Sequence, residues 1–356
     1  MFNGIYHNKT VFLTGHTGFK GSWMALWLEE LGANVTGYAL RANTKPNHWE
    51  LLAPAMADIE GDTRDYDKLL ASLLEASPEI VFHFAAQSLV RESYHDPLET
   101  WTTNVIGTAN LLEACRQVKT IKAIVVVTTD KVYENKEWSR GYHETDRLGG
   151  HDPYSASKAA TELVVNSFRK SFFNSPDSAS LASARAGNVI GGGDWSADRL
   201  IPDLARAFSS GTNLIIRSPE SSRPWQHVLD CLRGYLILGE RLLNSDKAAE
   251  TSWNFGPPQK DNLKVSEVLN LMQPHWPGME WTIEESVNYE QHEAGLLYLD
   301  SGRANSLLGW QPVWDLKTAL RNTSDWYRHF YESKSIDSLA QLNQYIADAS
   351  AIKEPG

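Results

Sequence analysis

Short apolar runs alternate with amphipathic stretches through the first half of the chain. Thr10–Thr14 (TVFLT) predicts a buried strand, residues 23–31 a helix and residues 35–39 the next strand. The runs at 80–84 (IVFHF) and 123–128 (AIVVVT) predict two further strands, with a helix at 108–116 between them. A helix over 155–173 leads into a strand at 180–185. Strands that alternate with helices in this way predict an α/β fold with a parallel sheet covered on both faces. Residues 43–55, which include Pro46 and Pro54, predict an irregular excursion or a short helix.

After Gly191 the periodicity loosens. The run 191–194 (GGGD) and Pro219, Pro224, Pro257, Pro258, Pro274 and Pro277 punctuate it. A smaller second region is therefore expected in the C-terminal half. Residues 253–256 nevertheless have the pattern of one more core strand, so the two domains should interleave. The expected division is 1–190 plus 223–258 for the sheet domain, 191–222 plus 259–330 for the smaller domain, and 331–356 for a polar helical tail.

Composition narrows the function. Of 356 residues, 42% are hydrophobic and 22% charged, as in an ordinary globular enzyme. The net charge of −11 offers no basic face, so no nucleic-acid partner is expected. Cys115 and Cys231 are too few for a disulfide framework or a zinc site, which fits a reducing cytoplasm, and no metal site is expected. The chain opens directly on a strand without a leader pattern, and the run 124–127 is far too short to cross a bilayer. Core packing is the expected role of most of the thirteen tryptophans.

The loop Gly15-His16-Thr17-Gly18-Phe19-Lys20-Gly21 follows a predicted strand and opens a predicted helix, the context in which a glycine loop cradles a dinucleotide pyrophosphate. Lys20 stands where many such loops carry an apolar residue; it either adds charge near the phosphates or is a solvated lysine at a helix start. The second strand ends Tyr38-Ala39-Leu40-Arg41, without the acid that usually binds the ribose hydroxyls. Arg41 is open to two readings, a 2′-phosphate ligand or a plain surface residue. Asp62 and Thr63 are placed to approach the adenine, and Phe84, Ala85, Ala86 and Gln87 to close over the ribose and phosphates.

Three segments carry the candidate chemistry. Thr128-Thr129-Asp130-Lys131 lies at the end of a strand, the edge where parallel sheets bind ligands. Tyr154 and Lys158 stand four apart on one helical face, so the ammonium is expected to lower the phenol's pKa and make Tyr154 a base. Lys158 is also a candidate ligand of the nicotinamide ribose. Arg185-Ala186-Gly187-Asn188 ends a later strand. Arg185 and Arg223 are the cations expected on a substrate diphosphate, with Asn188 as a polar partner. The alternative for Arg223 is a salt bridge with Asp230 or Glu220. Trp195 and Trp225 are open to stacking on sugar or base, or to packing. His227 and His83 are expected to be structural.

On these motifs the chain resembles the extended short-chain dehydrogenase/reductase family over about 330 residues. The residues that carry the resemblance are GHTGFKG from Gly15, TTDKVY from Thr128, YSASK from Tyr154, RAGNVIGGGDW from Arg185, RPWQHVLD from Arg223 and LYLDSGRANSLLGW from Leu297. The resemblance implies a Rossmann-type doubly wound parallel sheet with a smaller, interleaved substrate-binding domain. Epimerases of the family lack a carboxylate after the strand-end Ser/Thr, so Asp130 points to its 4,6-dehydratases. Lys131 replaces a usual glutamate and resembles the cytidine-linked branch.

The activity so implied is NAD-dependent dehydration of CDP-glucose to a 4-keto-6-deoxy sugar, an intermediate towards deoxyhexoses of bacterial surface polysaccharide such as O-antigen. Tyr154 takes the O4 proton with help from Thr129. Lys131, or a water it positions, takes the C5 proton, and Asp130 protonates the departing C6 hydroxyl, its side chain pointing away from that of Thr129. NAD is expected over NADP despite Arg41. The family also implies a homodimer or dimer of dimers built on the helices 100–116 and 155–173. A 4-epimerase, a dehydratase for another nucleotide, and a catalytically silent dinucleotide sensor are the alternatives.

Overall fold

The computed structural model describes residues 1–216, 218–277, 280–283 and 295–352. Its centre is a seven-stranded sheet. From edge to edge the strands are Ser252–Phe255, Ser180–Ala186, Ala123–Val127, Ile80–His83, Thr10–Thr14, Asn34–Ala39 and Ala57–Glu60. Every neighbouring pair is parallel. The strands Ala123–Val127 and Ser180–Ala186 are buried along their whole length; the first therefore reads as an unbroken apolar run, while the second buries Ser180, Ser183 and Arg185 among its apolar residues. The chain builds outward from Thr10–Thr14 to Ala57–Glu60, then returns to lay Ile80–His83 on the other side of the first strand. This reversal leaves a crevice at the carboxyl ends of those two strands, where open α/β sheets hold their ligands.

Side chains alternate across the sheet. Val11 and Leu13 join one core with the helices Phe19–Glu30 and Val228–Leu243, while Phe12, Val81 and Ile124 join a second core under Tyr66–Ala76, Gly107–Gln117 and Pro153–Ser171. Ser252–Phe255 pairs with Ser180–Ala186 in the register Ser252↔Ser183 to Phe255↔Ala186, so a segment of the C-terminal half completes the sheet.

Two elements differ from the sequence expectation, at the first long helix and at the sheet edge. The first long helix starts at Phe19, because the glycine loop turns directly into it. Residues 43–55 contain the short helix His48–Leu52, one of the two expected alternatives, capped by Asn47 accepting from the Glu50 amide. The strand Ala57–Glu60 went unpredicted: it lies at the sheet edge with three of its four residues exposed, so it carries no apolar run. The tail is less polar in effect than in pattern, since Leu342, Tyr345 and Ala349 of the helix Ser338–Ala351 pack into the first core. Among the described residues no helix is long and apolar enough to cross a membrane, and no group of three or more His, Cys, Asp or Glu is arranged to hold a metal.

Candidate active site

The glycine loop is shaped by close approach. Gly15 has φ 73°, and a Cβ there would lie 2.6 Å from the Ala85 amide nitrogen. At Gly21 a Cβ would fall 2.1 Å from the Gly15 carbonyl oxygen. The helix Phe19–Glu30 has Gly18 as its cap and no side-chain cap bond, so its first amides are left for an anion. A loop of this shape with a bare helix N-terminus fits a dinucleotide pyrophosphate. Thr14 braces it by accepting from the Phe84 and Ala85 amides, and its hydroxyl bonds to His83 Nδ1 at 2.7 Å.

Around the loop, the Thr17 hydroxyl donates to the Leu40 carbonyl. His16 is buried against Asp58, 2.8 Å away; burial pulls its pKa below the ordinary value in spite of that carboxylate. Arg41 is exposed and paired with Glu60, and Asp62 is paired with Arg64. Thr63 lies against Gly107 and accepts through its carbonyl from Asn110. Phe84 packs edge-on to Tyr235, while Ala85 and Ala86 remain half-buried. Gln87 is fully engaged: its side-chain amide donates to Leu89 O and Thr100 Oγ1, and its main chain is clasped by Asn104, which also reaches Ser157.

The candidate catalytic segments meet at the carboxyl end of Ala123–Val127. Pro153–Ser171 starts on Asp152, which accepts from the Ser155 amide and hydroxyl and so fixes Tyr154 in the first turn. Burial holds Tyr154 up at about 12, with its hydrogen bond to Thr129 opposing. Lys158 does not act as the expected depressant, and the expectation of a lowered phenol pKa is corrected. Lys158 donates to the Val127 carbonyl at 3.2 Å; burial and the charge of Lys20 lower its pKa to about 8 against the pull of Glu162.

Asp130 is 2% exposed. Burial raises its carboxyl pKa, although Lys131, Thr129, Arg223 and Lys20 all act to lower it. Thr129 Oγ1 donates to Asp130 Oδ1 at 2.9 Å, so the two side chains face each other and do not diverge as expected. The third segment joins them at Gly187, where a Cβ would come within 3.0 Å of Asp130 Oδ2. Lys131 is half-buried beside the carboxyl. Lys20 turns towards this cluster, its Nζ 5.9 Å from the centre of the Tyr235 ring.

Two substrate assignments are corrected. Arg185 is 3% exposed and donates to Glu162 Oε2, to the Tyr133 hydroxyl and to the Glu144 carbonyl, so both of its terminal nitrogens are engaged inside the protein. Trp195 is 6% exposed and packs edge-on against Trp326, Tyr327 and Phe330, leaving no face for a sugar. Trp225 is likewise buried, its indole N–H donating to Leu263 O. Arg223 remains beside Asp130, on which its charge acts, and donates to Ser222 O. Its two suggested partners are engaged elsewhere: Glu220 with Lys264 and Asp230 with Tyr345. Asn188 is half-buried and its carbonyl accepts from the Gln226 amide. His227 accepts from the Leu229 amide at the start of Val228–Leu243, and His83 sits between Thr14 and Thr108.

Sequence reasoning missed Glu162. One helical turn beyond Lys158, it accepts from Thr128, Ser183, Ser252 and Arg185. The spacing Tyr154, Lys158, Glu162 was a visible signal for it. The cavity of about 750 Å³ beyond Ser252–Phe255 is lined by 256–261, 298–302 and 311–315 and contains none of the catalytic side chains.

Comparison with known proteins agrees with this geometry. Residues 12–323 match the family described as GDP-mannose 4,6 dehydratase. The chain is 47% identical, over 96% of its length and 98% of the relative's, to the CDP-glucose 4,6-dehydratase of Salmonella typhimurium. Among solved structures, the epimerase Mth375 of Methanothermobacter thermautotrophicus superposes with TM-score 0.81 at 23% identity, covering 93% of this chain and 95% of that one. MoeE5 in complex with UDP-glucose and NAD superposes with TM-score 0.75 at 26% identity, covering 90% and 98%.

Proposed function

The chain belongs to the GDP-mannose 4,6-dehydratase family, and from that premise we propose that it is an NAD-dependent hydro-lyase converting CDP-D-glucose to CDP-4-dehydro-6-deoxy-D-glucose. The observation that carries the reading is the buried Asp130 carboxyl beside Thr129 and Tyr154, an acid where an epimerase needs none. The glycine loop and the bare helix start hold the dinucleotide. Bound NAD+ supplies a hydride acceptor whose positive ring charge favours a phenolate. Tyr154 takes the O4 proton, with Thr129 beside it. Asp130, which burial inclines to keep its proton, gives it to the departing C6 hydroxyl. Lys131, or a water it positions, takes the C5 proton. Arg223 is the cation assigned to the diphosphate, with Asn188 beside it.

We assign 1–190 plus 223–258 to the dinucleotide domain and 191–222 plus 259–330 to the nucleotide sugar. Leu98, Trp101, Ile106 and Leu163 are exposed apolar residues of the segments 97–106 and 153–171, and they support a homodimer or dimer of dimers; the proposed cytoplasmic location is supported separately, by two free cysteines. The test of function is incubation of the purified protein and NAD+ with a panel of nucleotide-glucoses, followed by mass. Loss of one water from CDP-glucose in preference to the others is expected. A C4 epimer of unchanged mass would make the protein an epimerase.

A further inference from the structure

The C-terminal tail reaches the first long helix through one buried imidazole. Trp326 of Leu316–Ser333 donates its indole N–H to Ser338 Oγ at 2.9 Å, and Ser338 is the first residue of the helix Ser338–Ala351. Ser338 Oγ lies 2.7 Å from His48 Nε2, and His48 Nδ1 lies 2.8 Å from Ser22 Oγ. Ser22 donates in turn to the Phe19 carbonyl at 2.9 Å, in the first turn of Phe19–Glu30. The indole can only donate and the carbonyl can only accept. One arrangement of protons on a neutral imidazole therefore satisfies all four contacts: Nδ1 carries the hydrogen, and Nε2 accepts from Ser338. Burial keeps the ring neutral by lowering its pKa to about 3. Ser22, His48, Trp326 and Ser338 are each 2% exposed or less, so water does not take the place of a lost link. The relay has no room to slide either, since a Cβ at Gly193 would come within 2.6 Å of the imidazole and one at Gly192 within 2.0 Å of the Trp326 ring.

We propose that His48 is a positioning residue through which the C-terminal helix holds the first turn of Phe19–Glu30 in its dinucleotide-binding shape. The proposal rests on the dinucleotide reading above. The amides of that turn bind an anion only while the turn is in place. A turn left loose must be ordered when the ligand arrives, and that cost weakens binding. The relay ends at the Phe19 carbonyl, so it acts on cofactor affinity and not on the chemical step.

The test is equilibrium titration of the nucleotide-free protein with NAD+, alongside turnover. Ser22→Ala and Ser338→Ala cut the relay at opposite ends. Each should raise the Kd for NAD+ by about five-fold, with the loss in KM for NAD+ and not in kcat. The two hydroxyls do not share a bond, yet the double variant should bind NAD+ no more weakly than the weaker single one, because either cut breaks the same chain. Additive losses, or a Kd unmoved by Ser338→Ala, would overturn the proposal while leaving the cofactor reading standing. The reciprocal effect needs no variant: NAD+ should slow amide exchange in Ser338–Ala351 of the native protein more than in Leu200–Ser210, which lies outside the relay. Equal slowing of the two helices would also overturn it. A native protein that did not bind NAD+ would overturn both readings.

Discussion

Replacing Arg185 by methionine keeps most of the side-chain volume and removes the cation facing Glu162. Both groups are enclosed, with 3% and 1% of their side-chain surfaces exposed. Burial alone would raise the Glu162 carboxyl pKa, yet Arg185, Thr128 and Ser183 hold it at about 2 against an ordinary 4.5. A depression of that size corresponds to about 3 kcal/mol of preference for the carboxylate in the fold. Because the folded value is the lower one, this stability is present above about pH 4.5 and fades as pH falls towards 2. Without Arg185 the carboxylate is stranded, and removing one partner of a buried pair costs about 3–5 kcal/mol. Urea unfolding of Arg185→Met at neutral pH should show a loss of that order. Adding Glu162→Gln removes the stranded charge and should recover about 1–3 kcal/mol. If Arg185→Met instead unfolded at the native urea midpoint while KM for the nucleotide sugar rose, the arginine would be a phosphate ligand and this reasoning would fail.

Tyr154→Phe should lower turnover by ~10²–10⁴-fold with NAD+ binding retained, and a variant of near-native activity would remove Tyr154 from the chemistry. Asp130→Asn should still reduce the dinucleotide but eliminate water at least ~10²-fold more slowly, so that stopped-flow absorbance shows NADH accumulating; unchanged turnover would make Asp130 structural. Burial holds Asp230 up at about 7 from an ordinary 3.8, against hydrogen bonds from Tyr345 and Val313. The folded value is the higher one, so stability falls as pH rises from about 4 to about 7. Asp230→Asn should flatten that part of the Tm–pH curve, and a variant with the native slope would exclude Asp230 as its source.

The sheet was legible because its central strands Thr10–Thr14, Ile80–His83 and Ala123–Val127 are buried and read as short apolar runs. The late strand Ser252–Phe255 was found from its two aromatic residues, Trp253 and Phe255, with Ser252 before them and Asn254 between. Ala57–Glu60 was not found, because an exposed edge strand needs no apolar side chains. In the site, the glycine loop and the Tyr154–Lys158 pair were legible as local spacings on one loop and one helix face. Arg185 was misread for the opposite reason. Its partner Glu162 lies on another element, and an arginine at a strand end has the same local sequence whether it faces ligand or protein. Trp195 failed in the same way, since the rings that enclose it belong to the distant helix Leu316–Ser333.

Asp130 and Lys131 set a conflict that the sequence alone left open. An acid for the C6 hydroxyl must hold its proton, and an adjacent ammonium favours losing it. The sequence offered two ways out, a neutral lysine or one pointing elsewhere. The structure provides a third. Lys131, Arg223 and Lys20 all act on Asp130 to lower its pKa, and the carboxyl is nevertheless raised, because at 2% exposure the cost of desolvating the carboxylate outweighs them. The acid thus depends on enclosure and not on the absence of cations. Opening the pocket beside it should therefore impair proton donation before it impairs hydride transfer. Gly187 is the position to probe, since its missing Cβ is what lets Pro224 and the strand end close over Asp130. Gly187→Ala should force that closure apart, let water reach the carboxyl and lower its pKa. Elimination should then slow more than dinucleotide reduction does. Equal slowing of both steps would mean that enclosure is not what keeps the proton on Asp130.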